Sequence, residues 1–111
     1  MKKISLDALT REQMTKATSA SSRRAASAMY GGHEHALRQT NIALAAGAAL
    51  SEHSNPGEAT VHVLSGRVDL LSGDDVWSGM TGDLLVVPDA PHSLRATTDA
   101  AVLLTTVVTS A

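Results

Sequence analysis

The stretch Gly47-AALSE-His53-SNPGEATVHVLS-Gly66, followed by Gly82-DLLVV-Pro88-DAP-His92, decides the fold of this chain. Each of the two blocks opens on a glycine and contains one histidine close to a proline. Between the blocks, residues 72–75 read SGDD, which predicts a tight turn because glycine and aspartate tolerate the backbone angles that turns require. A hairpin at this point folds distant segments back on each other. We therefore expect His53 and His92 to lie on neighbouring strands.

Short strands separated by turns make up most of the chain. Polar and apolar residues alternate from Leu37 to Ala46, as in a strand with one buried face. Ala59, Val61 and Val63 share one face of a later strand. The predicted strands cover about residues 25–30, 37–46, 59–63, 67–71, 76–78, 84–87, 93–97 and 101–109. Close turns with no helix between the strands predict an antiparallel sandwich or barrel.

The two ends of the chain differ from this pattern of short strands and turns. From Ser5 to about Ala20, apolar residues recur at three- and four-residue spacing, which predicts one amphipathic helix. Ser5 is a suitable N-cap, and Asp7 lies in the first turn, where the helix dipole favours a negative charge. The closing segment, Ala100 to Val108, is apolar on both faces. It is predicted to be either a central strand or part of a subunit contact.

The composition narrows the class of protein. The 111 residues are 43% hydrophobic and 18% charged, with a net charge of −2, and they suffice for one domain. This charge gives no attraction to nucleic acid, and no apolar run reaches the roughly 18 residues of a membrane span. Cysteine is absent, so thiol chemistry is excluded, and we expect a cytoplasmic protein without a secretion signal. No Gly-x-Ser-x-Gly elbow and no glycine-rich phosphate loop occurs.

The two quoted blocks resemble the two motifs of the cupin superfamily. The first cupin motif reads Gly, five residues, His-x-His, three or four residues, Glu, six residues, Gly; the second opens on Gly-Asp, an apolar run and Pro. The resemblance covers about the last two thirds of the chain. It implies an all-β fold, an antiparallel RmlC-like jelly-roll β-barrel (36–111) after a short N-terminal α-helix and leading segment (1–35). It also implies a divalent transition metal at the barrel mouth and a homodimer.

The first motif is incomplete in this chain. Asn55 stands where the second histidine is usual, and Ala59 stands at the usual glutamate position. Glu58 is one residue early, and a one-residue offset turns a strand side chain to the opposite face unless the Pro56-Gly57 turn carries a bulge. In the second motif, His92 follows Pro88 by four residues rather than five.

These residues give the candidate site. If a metal is bound, the resemblance implies His53 and His92 as first ligands, Glu58 as the third and Asn55 as a weak additional donor. Arg38, Asn55 and His92 are the candidates for contact with a small-molecule ligand. His33 and His35 form a second His-x-His pair in a predicted surface loop, and either is an alternative third ligand. His62 is expected to point outward, opposite Val61 and Val63.

Two classes of function follow. The first is a binding module that holds a small molecule, a weakly held divalent metal, or both. The alternative is a metal-dependent enzyme of the dioxygenase or isomerase type that uses His53 and His92. Between them lies a metal-free isomerase with one of these histidines as general base, and a structural dimer is a further option. Dimer contacts are expected at the last strand or along residues 37–49.

Overall fold

The computed structural model describes residues 2–32, 34–54 and 57–108. These residues form one helix followed by strands. In chain order the elements are α1 (Leu6–Ser19), β1 (Arg24–Tyr30), β2 (Leu37–Leu44), β3 (Ala49–His53), β4 (Gly57–Ser65), β5 (Arg67–Ser72), β6 (Asp75–Met80), β7 (Leu84–Val86), β8 (His92–Ala96) and β9 (Ala100–Val108). The predicted helix and strands are confirmed, whereas β3 was not predicted as a strand of its own.

The helix α1 begins after Ser5, whose side chain accepts a hydrogen bond from the Ala8 backbone N–H. It lies on one sheet, against β1 and β2, and buries Gln13 and Ala17. The covered face of β2 is buried as well: Asn41 and Ala43 are fully buried. The expectation of a half-buried strand is therefore wrong for the second half of β2, because α1 shields its outer face. In the part of the chain that the structure describes, no helix has the length and apolar character of a membrane span.

The strands form two antiparallel sheets that face each other. One sheet has the order β1-β2-β9-β4-β7 and the other has the order β3-β8-β5-β6. The chain passes from one sheet to the other after β2, β3, β4, β6, β7 and β8, which is the connectivity of a jelly roll. The predicted antiparallel jelly roll is confirmed, but within the described residues its two sheets are not hydrogen-bonded to each other at their edges and do not close into a barrel.

The core lies between the two sheets and consists of small aliphatic side chains. Alternate residues of β4 and β9 point into it, as period-two strands require. The buried cluster comprises Ile42, Leu44, Ala59, Val61, Val63, Val68, Leu70, Val87, Leu94, Ala96, Ala100 and Val102. The last strand, β9, pairs with both β2 and β4. Of the two predicted alternatives, it is therefore a central strand, which explains why both of its faces are apolar.

Gly66 closes the first block at the connection between β4 and β5. Its φ angle is +81°, and a Cβ at this position would overlap the Asp99 carbonyl oxygen and the Ala100 Cα atom. Only glycine fits both the backbone angle and the close approach of the 99–100 segment. The glycine therefore has a packing role: it allows the chain to cross from one sheet to the other directly beside the 99–100 segment.

Candidate functional site

His53 and His92 are direct partners across two antiparallel strands. β3 ends at His53, β8 begins at His92, and the pairing of these strands places the two residues opposite each other. Their ring centroids are 4.5 Å apart, with the ring planes inclined at 60°. Residues 39 positions apart in the sequence are thus brought into contact, as the two blocks predict.

The two rings differ in their exposure to solvent. His92 is only 4% exposed and shares the inward face of β8 with Leu94 and Ala96, whereas His53 is exposed. The pair therefore lies at the boundary of the interior, at the end of the two sheets where β3 stops and β4 begins. A molecule that contacts both rings approaches from the side of His53.

Each imidazole is oriented by its own backbone. The Nδ1 atom of His53 lies 3.0 Å from the Ser51 carbonyl oxygen, and the Nδ1 atom of His92 lies 2.9 Å from the Ala90 carbonyl oxygen. A carbonyl oxygen only accepts, so each Nδ1 carries the hydrogen and donates it. In the neutral rings, both Nε2 atoms then present a lone pair. Histidines that bind metals are oriented in the same way by a backbone carbonyl.

Glu58, the predicted third ligand, does not face this pair. Glu58 is exposed, and its neighbour Ala59 points into the core. The pairing of β4 with β9 runs in continuous register from Gly57 to Val63, so no bulge in this part of β4 turns Glu58 inward. Asn55 lies outside the described residues. Among the residues that the structure describes, no three His, Cys, Asp or Glu side chains form a group suited to a metal.

The donor set therefore fits a divalent metal only in part. Two imidazoles with suitably protonated rings are present, but stable protein sites for such ions have three or four protein ligands. Ala59 provides a methyl group where a carboxylate is usual in the cupin motif. A metal at this pair would be held weakly by the described residues.

Arg38 lies at the same end of the sheets as the histidines. Arg38 is on the same face of β2 as Ile42 and Leu44, which point into the core. The pairing of β2 with β9 places it beside Thr106. The side chain is exposed, and its stem lies beside Gly31. Arg38 thus belongs to the opposite sheet from the histidine pair, at the open end of the interior.

His35, from the second His-x-His pair, contacts Tyr30 and Glu34. The Tyr30 hydroxyl oxygen lies 3.3 Å from the His35 Nδ1 atom, and the two rings are 4.6 Å apart. The His35 Nε2 atom lies 3.8 Å from a Glu34 carboxylate oxygen. His33 is outside the described residues. His62 is half-buried on the outward side of β4, opposite Val61 and Val63 in parity, as expected. The Tyr30–His35 contact was not predicted; the only signal was the aromatic residue beside the Gly31-Gly32 turn.

Comparison with known proteins agrees with this geometry. A family model described as the cupin domain matches residues 41–108, which is more than half of the chain. The chain belongs to the cupin domain family. The match contains both histidines and the strands that carry them, and it excludes α1 and β1.

Solved structures similar to this cupin include proteins with and without a stated activity. A conserved protein of unknown function from Streptococcus pyogenes is 26% identical, with a TM-score of 0.73 over 83% of this chain and 80% of that chain. An RmlC-like cupin from Desulfovibrio desulfuricans is 30% identical, with a TM-score of 0.67 over 76% and 81%. A salicylate 1,2-dioxygenase variant from Pseudoaminobacter salicylatoxidans is 22% identical, with a TM-score of 0.74 over 89% of this chain but 34% of that chain. A search of curated proteins finds no match.

Proposed function

We propose that this cupin binds a small molecule through His53 and His92, either directly or together with a weakly held divalent transition metal. One observation carries the proposal. In each ring a hydrogen bond from Nδ1 to a backbone carbonyl leaves the lone pair on Nε2, and the two ring centroids are 4.5 Å apart. Two acceptors on neighbouring rings suit a ligand that offers two hydrogen-bond donors. They also suit one metal ion that has both imidazoles in its coordination shell.

Arg38 and Asn55 supply the polar contacts proposed for the rest of the ligand. A guanidinium at the open end of the interior suits an acidic or strongly polar group, since it donates up to five hydrogen bonds in a fixed plane. The Asn55 amide offers a donor and an acceptor two residues after His53 in the sequence. The proposed ligand is therefore a small polar molecule with an acidic or hydroxyl group.

Binding without catalysis is favoured over a metal-dependent enzyme because the ligand set is short. A divalent metal bound at this position would supply Lewis-acid chemistry, and such chemistry requires a firmly held ion. Glu58 faces away and Ala59 has no donor atom, so His53 and His92 carry the affinity. The alternative of a dioxygenase- or isomerase-type enzyme uses the same pair and requires about one equivalent of metal in the purified protein.

The test uses the metal itself as the probe. The protein is purified without an affinity-tag metal, its metal content is determined by elemental analysis, and Zn²⁺ and Ni²⁺ are titrated by calorimetry. We expect weak binding that H53A and H92A each abolish. H62A is the matched control, because His62 is a half-buried histidine on the outward face of β4, and its metal binding should equal that of the original chain. Binding that survives the loss of both His53 and His92 would contradict the proposal.

A further inference from the structure

A cleft separates α1 from the outer face of β4. The helix packs mainly on β1 and β2 and contacts β9 only slightly, so it leaves β4 uncovered beside it. The cleft between them has a volume of about 420 Å³. Pockets that hold small molecules typically measure about 300–1,000 Å³. The space beside α1 is therefore large enough for a small organic molecule, and we call it the α1–β4 cleft.

Three apolar side chains line the α1–β4 cleft. Leu6 and Met14 line it from α1, and Leu64 lines it from β4. Leu6 and Met14 are about two helical turns apart, so they lie along the same side of α1. Leu64 is on the outward face of β4, because its neighbour Val63 points into the core. All three side chains are half-buried, and they suit the apolar part of a ligand.

The Thr10 hydroxyl group has a hydrogen to donate at this cleft. Thr10 lines the cleft, and its oxygen accepts a hydrogen bond from the buried Asn41 Nδ2 atom over 3.0 Å. Thr15 and Thr18 on the same helix donate their hydroxyl hydrogens to carbonyl oxygens of the preceding turn. Among the described residues, the Thr10 hydroxyl donates to none. A hydroxyl both accepts and donates, so its hydrogen remains for an acceptor in the cleft.

Arg11 is the second donor at the cleft, directly after Thr10 in the helix. Its side chain is exposed and forms no ion pair with another described residue. Guanidinium presents several N–H donors in one plane, in a geometry that matches a carboxylate. Asp7 lines the same cleft one turn before Arg11, and Ser65 lines it from the end of β4. The cleft thus combines one cationic and one anionic side chain with apolar walls.

We infer that the α1–β4 cleft binds a small monocarboxylic acid with an apolar body. The carboxylate accepts hydrogen bonds from the Thr10 hydroxyl and the Arg11 guanidinium, and such charge-assisted bonds are stronger than bonds between neutral groups. The apolar body lies against the three apolar side chains, where it is removed from water. Asp7 limits the ligand to one acidic group, because a second negative charge in the cleft would be repelled.

This site is separate from the ligand site proposed at His53 and His92. The cleft lies on the outer face of its sheet, whereas His92 is buried and shares the inward face of β8 with Leu94. The helical wall of the cleft also lies outside residues 41–108, the part of the chain that the cupin family model matches. Binding in the cleft therefore goes beyond the proposed function and requires neither histidine.

The first experiment uses octanoate as the probe and octanol as its neutral counterpart of equal chain length. Each is titrated into the isotope-labelled intact chain, and amide NMR shifts report the place of binding and the dissociation constant. We expect saturable shifts at the amides of Thr10 and Leu64. Octanoate should bind at least about tenfold more tightly than octanol, because only octanoate carries a charge for Arg11. Equal affinities, no shifts at the cleft, or shifts confined to His53 and His92 would overturn the inference.

The second experiment tests the charges of the cleft. R11Q should weaken octanoate binding at least about tenfold, and D7N should strengthen it about threefold, because these changes remove an attractive and a repulsive charge. Octanol should bind both variants as it binds the original chain. K16Q is the matched control, because Lys16 is an exposed cation on the same helix, paired with Glu12 and outside the cleft. If K16Q weakens octanoate binding as much as R11Q does, only the overall charge attracts the acid and the inference is wrong.

The third experiment fills the cleft. M14W should abolish octanoate binding, because the larger side chain occupies the space between α1 and β4. E12W adds the same side chain at an exposed position of α1 outside the cleft, and this matched control should bind octanoate normally. Circular dichroism first verifies that both variants keep the original fold. Octanoate binding that survives in M14W would contradict binding in the cleft. Zn²⁺ binding is measured on the same samples, and its outcome at the histidine pair is independent of the result at the cleft.

Discussion

Glu58 and Ala59 are neighbours on β4, and the strand turns the carboxylate of one to solvent and the methyl group of the other into the core. The carboxylate that the cupin motif usually provides is thus present in the chain but on the wrong face. Because strand side chains alternate, no rotamer of Glu58 corrects this. The relationship explains why the described residues offer two metal ligands rather than three.

The variant A59E should restore a third ligand. We predict that it raises Zn²⁺ affinity at least about tenfold, because a carboxylate joins the two imidazoles. Without metal the same change should lower the free energy of unfolding by about 2–5 kcal/mol, because it places a charge among buried aliphatic side chains. Calorimetry and thermal unfolding with and without Zn²⁺ measure both effects. T60E, one residue further on the outward face, is the control and should leave Zn²⁺ affinity unchanged.

Metal binding at the histidine pair should weaken as the pH falls. A proton on Nε2 occupies the lone pair that the metal needs, so protons and Zn²⁺ compete for the same atom. Titrations of Zn²⁺ at several pH values should therefore show a dissociation constant that rises as the pH falls. A Zn²⁺ affinity that does not fall on acidification would contradict the role of His53 and His92 as ligands.

The Gly66 position should tolerate no side chain. G66A adds a strained backbone angle and an overlap with the Asp99 carbonyl group, and we predict a loss of about 3 kcal/mol or more in the free energy of unfolding. G73A is the matched control. Its φ angle is +58° and nothing lies within 4 Å of the added Cβ, so only the conformational cost of about 1 kcal/mol remains. Chemical denaturation of both variants gives the comparison; equal losses would show that the close approach is relieved by movement of the 99–100 segment.

A buried amide takes part in the contact between α1 and the sheet. The Asn41 Nδ2 atom donates to the Thr10 hydroxyl oxygen over 3.0 Å, and Asn41 is fully buried. T10V should therefore cost about 1–3 kcal/mol, since it leaves the buried amide without this partner. T15V is the control: Thr15 is exposed, and its hydroxyl donates to the Arg11 carbonyl oxygen within the same helix. Urea denaturation should show a change near zero for T15V, and a similar result for T10V would contradict the role of Thr10.

The sequence allowed the histidine pair to be predicted because glycine and proline positions define where the strands turn. The helix was predictable for the same local reason, from its cap and its apolar spacing. The features that could not be predicted from the sequence depend on contacts between residues far apart in the chain. The burial of Asn41 and Ala43 results from α1 docking on β2, and the open sheet edges depend on pairing between strands far apart in the chain.

The Tyr30–His35 contact could not be predicted from the sequence for a different reason. The register between β1 and β2 shifts between Ala28 and Tyr30, so the last residues of β1 do not follow the alternation of the rest of the strand. A single inserted residue of this kind changes which side chains meet, and no composition rule marks its position here. His33 and Asn55 lie outside the described residues, so their expected roles stay predictions.

The hydrogen bonds from the two Nδ1 atoms have a consequence for how this protein can change. Each acceptor is a main-chain carbonyl only two residues before its histidine, at Ser51 and at Ala90, so the orientation of each ring is encoded within three consecutive residues. Replacing a side chain elsewhere around the pair does not remove either bond. Substitutions at surrounding positions can therefore change the ligand specificity of the pair while both imidazoles keep their orientation.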